Sequence, residues 1–403
     1  MIIEIEYFSN NNYLKEFIDA LAKEINITIS TKLKNYKLLI WVDKKSKNLE
    51  LFLKAIENNL PYSIFMGKVE VRDGEFFENQ ERALLPNSIS LCPKCIKEIL
   101  DPNSRRYFYP FTFCRSCGFT SSFLISYPFN RENSLFFPFN ICDDCKKEQE
   151  ENPFRANFPL ISCTKCSIPI KLQKRNSQKI FWAWDKKEYK EIFYICAQAI
   201  LDNKNLLIKT FNGYKLFSKT PSREFDIFIT NSNKISSYFL LLEEEKKALF
   251  SIEKPKVRAT LSNLDLQKKV GSIKYLKAPD CGISILFAKA LQDSGIDYIY
   301  FKEVDNIDNI SYDLKLDFDL PISKYEDIVY SINKKDKFIA KGDRVILPKL
   351  LDINKDEVLD KPYVALKYQN SILIDKIEKF NIDKEKIWWI WISKKYIFTI
   401  KEK

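Results

Sequence analysis

The chain has 403 residues, 65 basic and 54 acidic, for a formal charge of +11, with no histidine and only eight glycines. The missing histidine excludes Ser-His-Asp and Cys-His nucleophilic mechanisms, and so little glycine leaves no evident backbone cradle for phosphate. No apolar run approaches the ~18 residues of a membrane span, and the length predicts three or more α+β domains.

Residues 1–90 read as a small α/β domain. Met1–Phe8 alternates apolar and polar residues, as a half-buried strand should. Tyr13, Phe17, Ile18, Leu21 and Ile25 follow at helical spacing, with Asn10–Asn12 as capping residues. Ile27–Thr31 and Lys37–Val42 predict two strands joined by a turn at Lys34–Asn35. Leu49, Phe52, Leu53 and Ile56 mark a second helix, and Ser63–Val71 a last strand. This βαββαβ order is ferredoxin-like. The chain opens directly on a strand-like segment, which predicts no secretory signal.

Residues 91–180 carry four Cys-x-x-Cys pairs: Cys92/Cys95, Cys114/Cys117, Cys142/Cys145 and Cys163/Cys166. Gaps of 18, 24 and 17 residues separate them, and they hold eight of the ten cysteines. Each pair presents two thiolates on one face of a turn, and two such turns complete a tetrahedral four-sulfur site whose commonest occupant is Zn²⁺. One pair alone would equally suit a redox dithiol; four pairs with matched gaps predict two structural zinc sites. An iron–sulfur cluster stays open on the same ligands, and a disulfide framework is disfavoured without a signal peptide. Eight thiolates leave no open coordination position. Sequential pairing is expected, with Cys92, Cys95, Cys114 and Cys117 in one site; cross-pairing is the alternative. Free zinc thiolates suit a reducing cytoplasm. Basic residues outnumber acidic ones 14 to 8 between Leu91 and Ile180, yet eight thiolates and two Zn²⁺ ions bring the loaded module to about +2. Apparent basicity is therefore a poor argument for nucleic acid.

Between the cysteines the chain reads DPNSRRYFYPFTFC (Asp101–Cys114) and YPFNRENSLFFPFNIC (Tyr127–Cys142). These segments resemble the tandem zinc-finger module of the HypF family, the carbamoyltransferases of [NiFe] hydrogenase maturation. Asp101, Pro102, Arg105, Arg106, Tyr107, Tyr109, Pro110 and Phe111 match the family pattern, as do Tyr127, Pro128 and Arg131. Phe129 stands where an Asp is usual, and ENPFRANFP lacks the family's second Arg and its His. The many aromatics of the module are expected to dock it onto its neighbours. Arg105 and Arg106 are expected at the surface, bonded to Asp101 and nearby carbonyls; gripping a ligand or a carboxylate partner is the alternative. Lys171–Lys179 reads as a basic linker.

The resemblance implies more for the flanking regions. The N-terminal domain would be acylphosphatase-like, but Phe8–Tyr13 has neither the glycine nor the arginine of that family's anion loop, so the fold is expected without the activity. Residues 181–350 resemble a divergent YrdC-like domain, which in HypF binds ATP and forms a carbamoyl adenylate. Ile192–Ile200 predicts a helix and Asn205–Lys209 a strand. KTFNGYKL fits the pattern Lys-Gly-x-Gly-Gly-x-His-Leu at Lys209, Gly213 and Leu216, with Lys215 in place of the His. SIEKP (Ser251–Pro255) fits Ser-x-x-Arg-Pro with Lys254 for Arg, Ala278–Pro279 precedes a helix at Leu286–Leu291, and KGDRVILP supplies Arg344. The Thr-Ser-Gly-Asn strand is replaced by YIYFKEV (Tyr298–Val304). Lys209, Lys254 and Arg344 are the candidate ATP or anion contacts that the resemblance leaves.

Residues 351–403 read as a strand-rich segment: YVALKY, SILIDKI, KIWWIWI and YIFTI. The large Kae1-like domain of HypF would begin near here, so complete HypF chemistry is not expected from this chain alone. The resulting expectation is a zinc-binding, catalytically reduced accessory or scaffold that holds a hydrogenase-maturation partner. An active carbamoyl-adenylate synthase and an RNA-binding YrdC-like protein are the alternatives; the last would need aromatic platforms along a basic stripe.

Overall fold

The computed structural model describes residues 1–7, 13–34, 37–80, 86–125, 129–177 and 180–322, and the backbone of five further strands between 329 and 390. The anion-loop positions Phe8–Asn12, the pair Tyr127–Pro128 and Arg344 lie outside the described residues, as does YIFTI.

The N-terminal unit runs β1 (Ile2–Tyr7), α1 (Tyr13–Ile25), β2 (Ile29–Lys34), β3 (Lys37–Val42), α2 (Leu49–Asn59) and β4 (Met66–Arg72). Its antiparallel sheet has the order β2-β3-β1-β4, the ferredoxin-like arrangement the sequence predicts. Ile3, Ile5 and Tyr7 of β1 share a buried cluster with Leu14, Phe17, Ile18 and Leu21 of α1. β2 starts two residues later than the apolar pattern suggests. Asn26 takes a positive φ of 57° and the Ile27 amide returns to the Ala22 carbonyl, a left-handed helix stop that uses up Ile27.

The metal-binding region contributes α3 (Pro93–Leu100) and α4 (Asp143–Glu151), each following a cysteine at its N-cap. The third unit begins earlier than its composition suggests. The stretch read as a basic linker overlaps β5 (Ile170–Lys174), paired with β6 (Ile180–Ala183) and with β14 (Leu314–Asp317) of the same sheet. Its lysines and arginine concealed an alternation in which Ile170 and Leu172 point inward.

The remaining elements are α5 (Lys186–Leu201), β7 (Leu206–Thr210), β8 (Gly213–Ser218), β9 (Asp226–Ile229), α6 (Ile235–Tyr238), β10 (Phe239–Leu240) and α7 (Glu243–Leu249). They continue with β11 (Lys256–Leu261), α8 (Leu264–Val270), β12 (Ile273–Lys277), α9 (Gly282–Asp293) and β13 (Tyr298–Val304). Their mixed sheet runs β11-β12-β9-β13-β8-β7-β14-β5-β6. Beyond β11 the backbone adds β15 (Val329–Asn333), β16 (Asp336–Ala340), β18 (Ser371–Lys376), β17 (Tyr363–Tyr368) and β19 (Trp388–Ile390). The last three fall within SILIDKI, YVALKY and KIWWIWI. No helix among the described residues is long and apolar enough to cross a membrane.

Aromatic side chains cement the units together. Phe111 stacks on Phe211 at 5.3 Å and meets Phe318 edge-on at 5.4 Å, while Phe123 meets Phe211 at 5.1 Å. Tyr109 meets Tyr189 of α5 at 5.2 Å, and Phe17 of α1 meets Phe154 at 5.5 Å. The N-terminal unit is also tied to the third by the buried Glu253 carboxylate, which accepts from Ser63 Oγ at 2.5 Å and the Ile64 amide at 3.0 Å.

α9 begins against the backbone of the metal-binding region: a Cβ on Gly282 would lie 1.8 Å from the Pro110 carbonyl oxygen. Only glycine admits that approach. Gly282→Ala is expected to cost about 3 kcal/mol by overpacking, read as a lower urea midpoint; an unchanged midpoint would show that the contact yields freely.

Candidate metal centres and the lysine cluster

Two groups of four cysteines converge: Cys92, Cys95, Cys114 and Cys117, and Cys142, Cys145, Cys163 and Cys166. The pairing is sequential. In the first, Sγ atoms are 4.0 Å apart for Cys92–Cys114, 3.5 Å for Cys114–Cys117 and 3.7 Å for Cys95–Cys117. In the second, Cys142–Cys163 and Cys145–Cys166 are each 3.7 Å and Cys163–Cys166 is 3.9 Å. Zn–S bonds of about 2.3 Å at tetrahedral angles set S···S separations of about 3.8 Å, so both clusters fit the ion. The sites are built alike. One pair opens a helix, with its first cysteine at the N-cap, and the other sits in a turn. The first turn ends on Gly118, whose φ of 93° suits glycine. All four ligands of the first site are buried; Cys142 and Cys166 of the second are partly exposed.

Between the two sites lies an ion network that corrects the expectation for the two arginines. Arg106 is 1% exposed and does not bond Asp101. Its guanidinium donates to the Ser162 carbonyl at 2.7 Å, to Glu98 at 2.6 Å and to Glu148 at 2.7 and 3.1 Å. Arg105, at the rim, bonds Glu148 and donates to Cys145 Sγ at 3.2 Å. Arg155 bonds Glu98, lies 3.2 Å from Glu148 and donates to the Phe113 carbonyl at 3.0 Å. Burial by itself would raise the Glu148 carboxyl, but the guanidiniums overcome it and hold its pKa at about 2. The N–H···S bond to Cys145 suits a four-thiolate zinc site, which carries a net negative charge. Arg131 ties the segment before α4 to the turn of the second site through the Phe139, Pro159 and Ile161 carbonyls.

Glu98, Glu148 and Arg155 were not singled out from the sequence, although a signal exists. Glu98 stands three residues after Cys95 and Glu148 three after Cys145, so both pairs read Cys-x-x-Cys-x-x-Glu. That spacing places each carboxylate on the ligand face of its helix.

Beside the second site, Glu24, Arg105, Asp144, Lys147, Glu148, Glu151, Asn152 and Pro153 line an open pocket of about 460 Å³. Its carboxylates outnumber its bases, which disfavours an anionic ligand there.

The candidate anion contacts separate. In the β7–β8 hairpin Lys209 lies opposite Tyr214 and Ile208 opposite Lys215, so Lys209 and Lys215 occupy opposite faces of the sheet. Lys209 donates to the Phe318 carbonyl at 2.9 Å and pairs with Asp317 at 3.4 Å; burial lowers its pKa. The other face packs on α9 through Phe217 and Phe287. There the buried Asp280 lies 3.6 Å from Lys215 and 3.2 Å from Lys277. Lys277 also donates to the Lys254 carbonyl at 2.6 Å, which brings Lys254 into this group. The Lys254 ammonium donates to the Phe250 carbonyl at 2.9 Å, and burial lowers its pKa to about 8, against the pull of Asp280. Lys215, Lys277 and Asp280 were missed as site residues because only the sheet register brings β8, β12 and the start of α9 together.

Comparison with known proteins agrees with this architecture. The family model for the HypF finger matches residues 91–124. A stretch of 133 residues, 30% of this chain, is 26% identical to the probable carbamoyltransferase HypF of Methanocaldococcus jannaschii, of which it covers 17%. The crystal structure of T. kodakarensis HypF superposes with a TM-score of 0.66 at 17% identity, over 93% of this chain and 53% of that one. A full-length HypF in its phosphate- and nucleotide-bound form gives 0.56 at 19% identity, over 93% and 54%. The chain is thus homologous to HypF-family carbamoyltransferases and shares their fold over about half the length of those solved proteins.

Proposed function

We propose that this chain is a zinc-loaded, catalytically reduced HypF-type scaffold that serves [NiFe] hydrogenase maturation by holding a maturation partner. The observation that carries the reading is the Lys215–Asp280–Lys277 group. Forming a carbamoyl adenylate requires several uncommitted cations around a triphosphate. Here Asp280 sits between two of the buried lysines, and Lys209 is on the opposite face of the sheet and bound to Asp317. The bulky YIYFKEV strand adds Phe301 to the same face, 5.9 Å from the Lys215 ammonium.

One observation favours the enzyme alternative. Around Asp280 the ammonium groups of Lys215, Lys254 and Lys277 outnumber this carboxylate, and the lowered pKa of Lys254 marks an ammonium that a phosphate would stabilise. Exchange of labelled pyrophosphate into ATP, with bicarbonate or carbamoyl phosphate present, separates the two readings. The scaffold reading expects exchange at the protein-free background. Exchange well above it, lost in Lys254→Ala, would establish the synthase instead.

A further inference from the structure

The two edges of the N-terminal sheet are treated differently. Along β2 the chain closes its own edge: the Gln80 amide donates to the Thr31 carbonyl at 2.9 Å, and the Asn79 and Gln80 side chains accept from the Thr31 and Leu33 amides. Along β4 no strand among the described residues pairs with the outer side. Every residue from Gly67 to Arg72 is exposed, with Val69 at 54% and Val71 at 63%. An exposed edge of this length, on which Val69 and Val71 alternate with charged residues, is a pairing site unless something blocks it; in the single copy Lys68 and Glu70 pair with each other within the strand. The Lys68 amide turns inward to the Glu6 carboxylate at 3.0 Å. Alternation along the strand therefore turns the amide and carbonyl of Val69 outward.

We propose that a second copy of this chain adds antiparallel to β4 about a two-fold axis through Val69, joining the two four-stranded sheets into one. The strand is complementary to itself in that register and not in the neighbouring ones. With Val69 opposite the partner's Val69, Lys68 faces the partner's Glu70, and Glu70 faces the partner's Lys68. The β1–β4 register shifts at Gly67–Lys68, so the regular pairing runs from Lys68 to Glu70 on each copy. Centring on Lys68 would oppose two lysines, and centring on Glu70 would oppose two glutamates, both unfavourable. A register slip is penalised by charge as well as by the pleat. Such an interface is isologous and closes on itself. It lies in the N-terminal unit and is independent of the lysine cluster.

Sedimentation velocity of the full chain over a concentration series tests this. The wild type is expected to move from monomer to dimer as concentration rises. Lys68→Glu turns both cross-strand pairs into Glu–Glu contacts and should weaken the dimer by about tenfold or more. Lys68→Glu combined with Glu70→Lys exchanges the charges and should restore it. Thermal melts by circular dichroism establish that each variant folds, as expected for exposed positions. A single monomeric species at every concentration would overturn the proposal. So would a dimer indifferent to Lys68→Glu, or a double variant that stays as weak as the single one.

Discussion

Removing the metal is expected to unfold the centre of the molecule, not merely to loosen it. Binding of a structural Zn²⁺ by four thiolates is worth about 10–16 kcal/mol at neutral pH, and that energy is folding energy. It equals or exceeds the ~5–15 kcal/mol that keeps a whole domain folded. Cys114→Ser should therefore abolish the first site and release Phe111, Phe113 and Phe123 from Phe211. The first and third units would lose their shared support. Elemental analysis of protein purified without chelator should give two zinc per chain. Chelation should proceed in two phases. The second site, with Cys142 and Cys166 partly exposed, should empty before the buried first site. A stoichiometry of one or none, or visible iron–sulfur absorbance, would refute the assignment, and equal stripping rates would refute the ordering.

Replacing Arg106 is expected to be the most damaging change outside the cysteines. Its guanidinium is buried and forked between Glu98 and Glu148, so truncation opens a gap at the centre of the network and leaves only Arg155, with Arg105 at the rim, against the two part-buried carboxylates. Breaking a buried pair from one side costs about 3–5 kcal/mol. Arg106→Lys should recover little, because an ammonium cannot donate in parallel to Glu98, Glu148 and the Ser162 carbonyl. Arg105→Ala is the control. Arg105 is about one-third exposed and shares its carboxylate with Arg106, so about 1 kcal/mol is expected. Urea midpoints of the three variants, with zinc content measured alongside, decide the matter. Equal losses for Arg105→Ala and Arg106→Ala would show that the network acts at the surface after all.

The sequence readings succeeded where the governing physics is local. The alternation of Ile3, Ile5 and Tyr7 and the helical spacing of Tyr13–Ile25 each depend on residues a few positions apart, and both elements formed as predicted. Where a local signal was masked, the reading failed. The charges of Lys171, Lys174 and Arg175 suggested a linker, although Ile170 and Leu172 already alternate as a strand. Asn26 ended α1 through a left-handed turn that displaced β2 by two residues.

By itself the sequence determined which eight thiols are available to the two four-cysteine clusters. Eight thiolates in four Cys-x-x-Cys turns are a covalent pattern, and ligand identity does not depend on where the rest of the chain goes. It also determined the ferredoxin-like order, because period and turn signals act within one unit. Only the tertiary structure decided what the charged side chains do. Arg106 and Glu148 are 42 positions apart, and Lys215 and Asp280 are 65 apart in the numbering. A guanidinium or an ammonium reads identically in a sequence whether water or a carboxylate will face it. Its environment is set by the packing of α3 on the second finger and by the register of β7 on β8. That register placed Lys209 on one side of the sheet and Lys215 on the other, since a strand turns successive side chains to opposite faces.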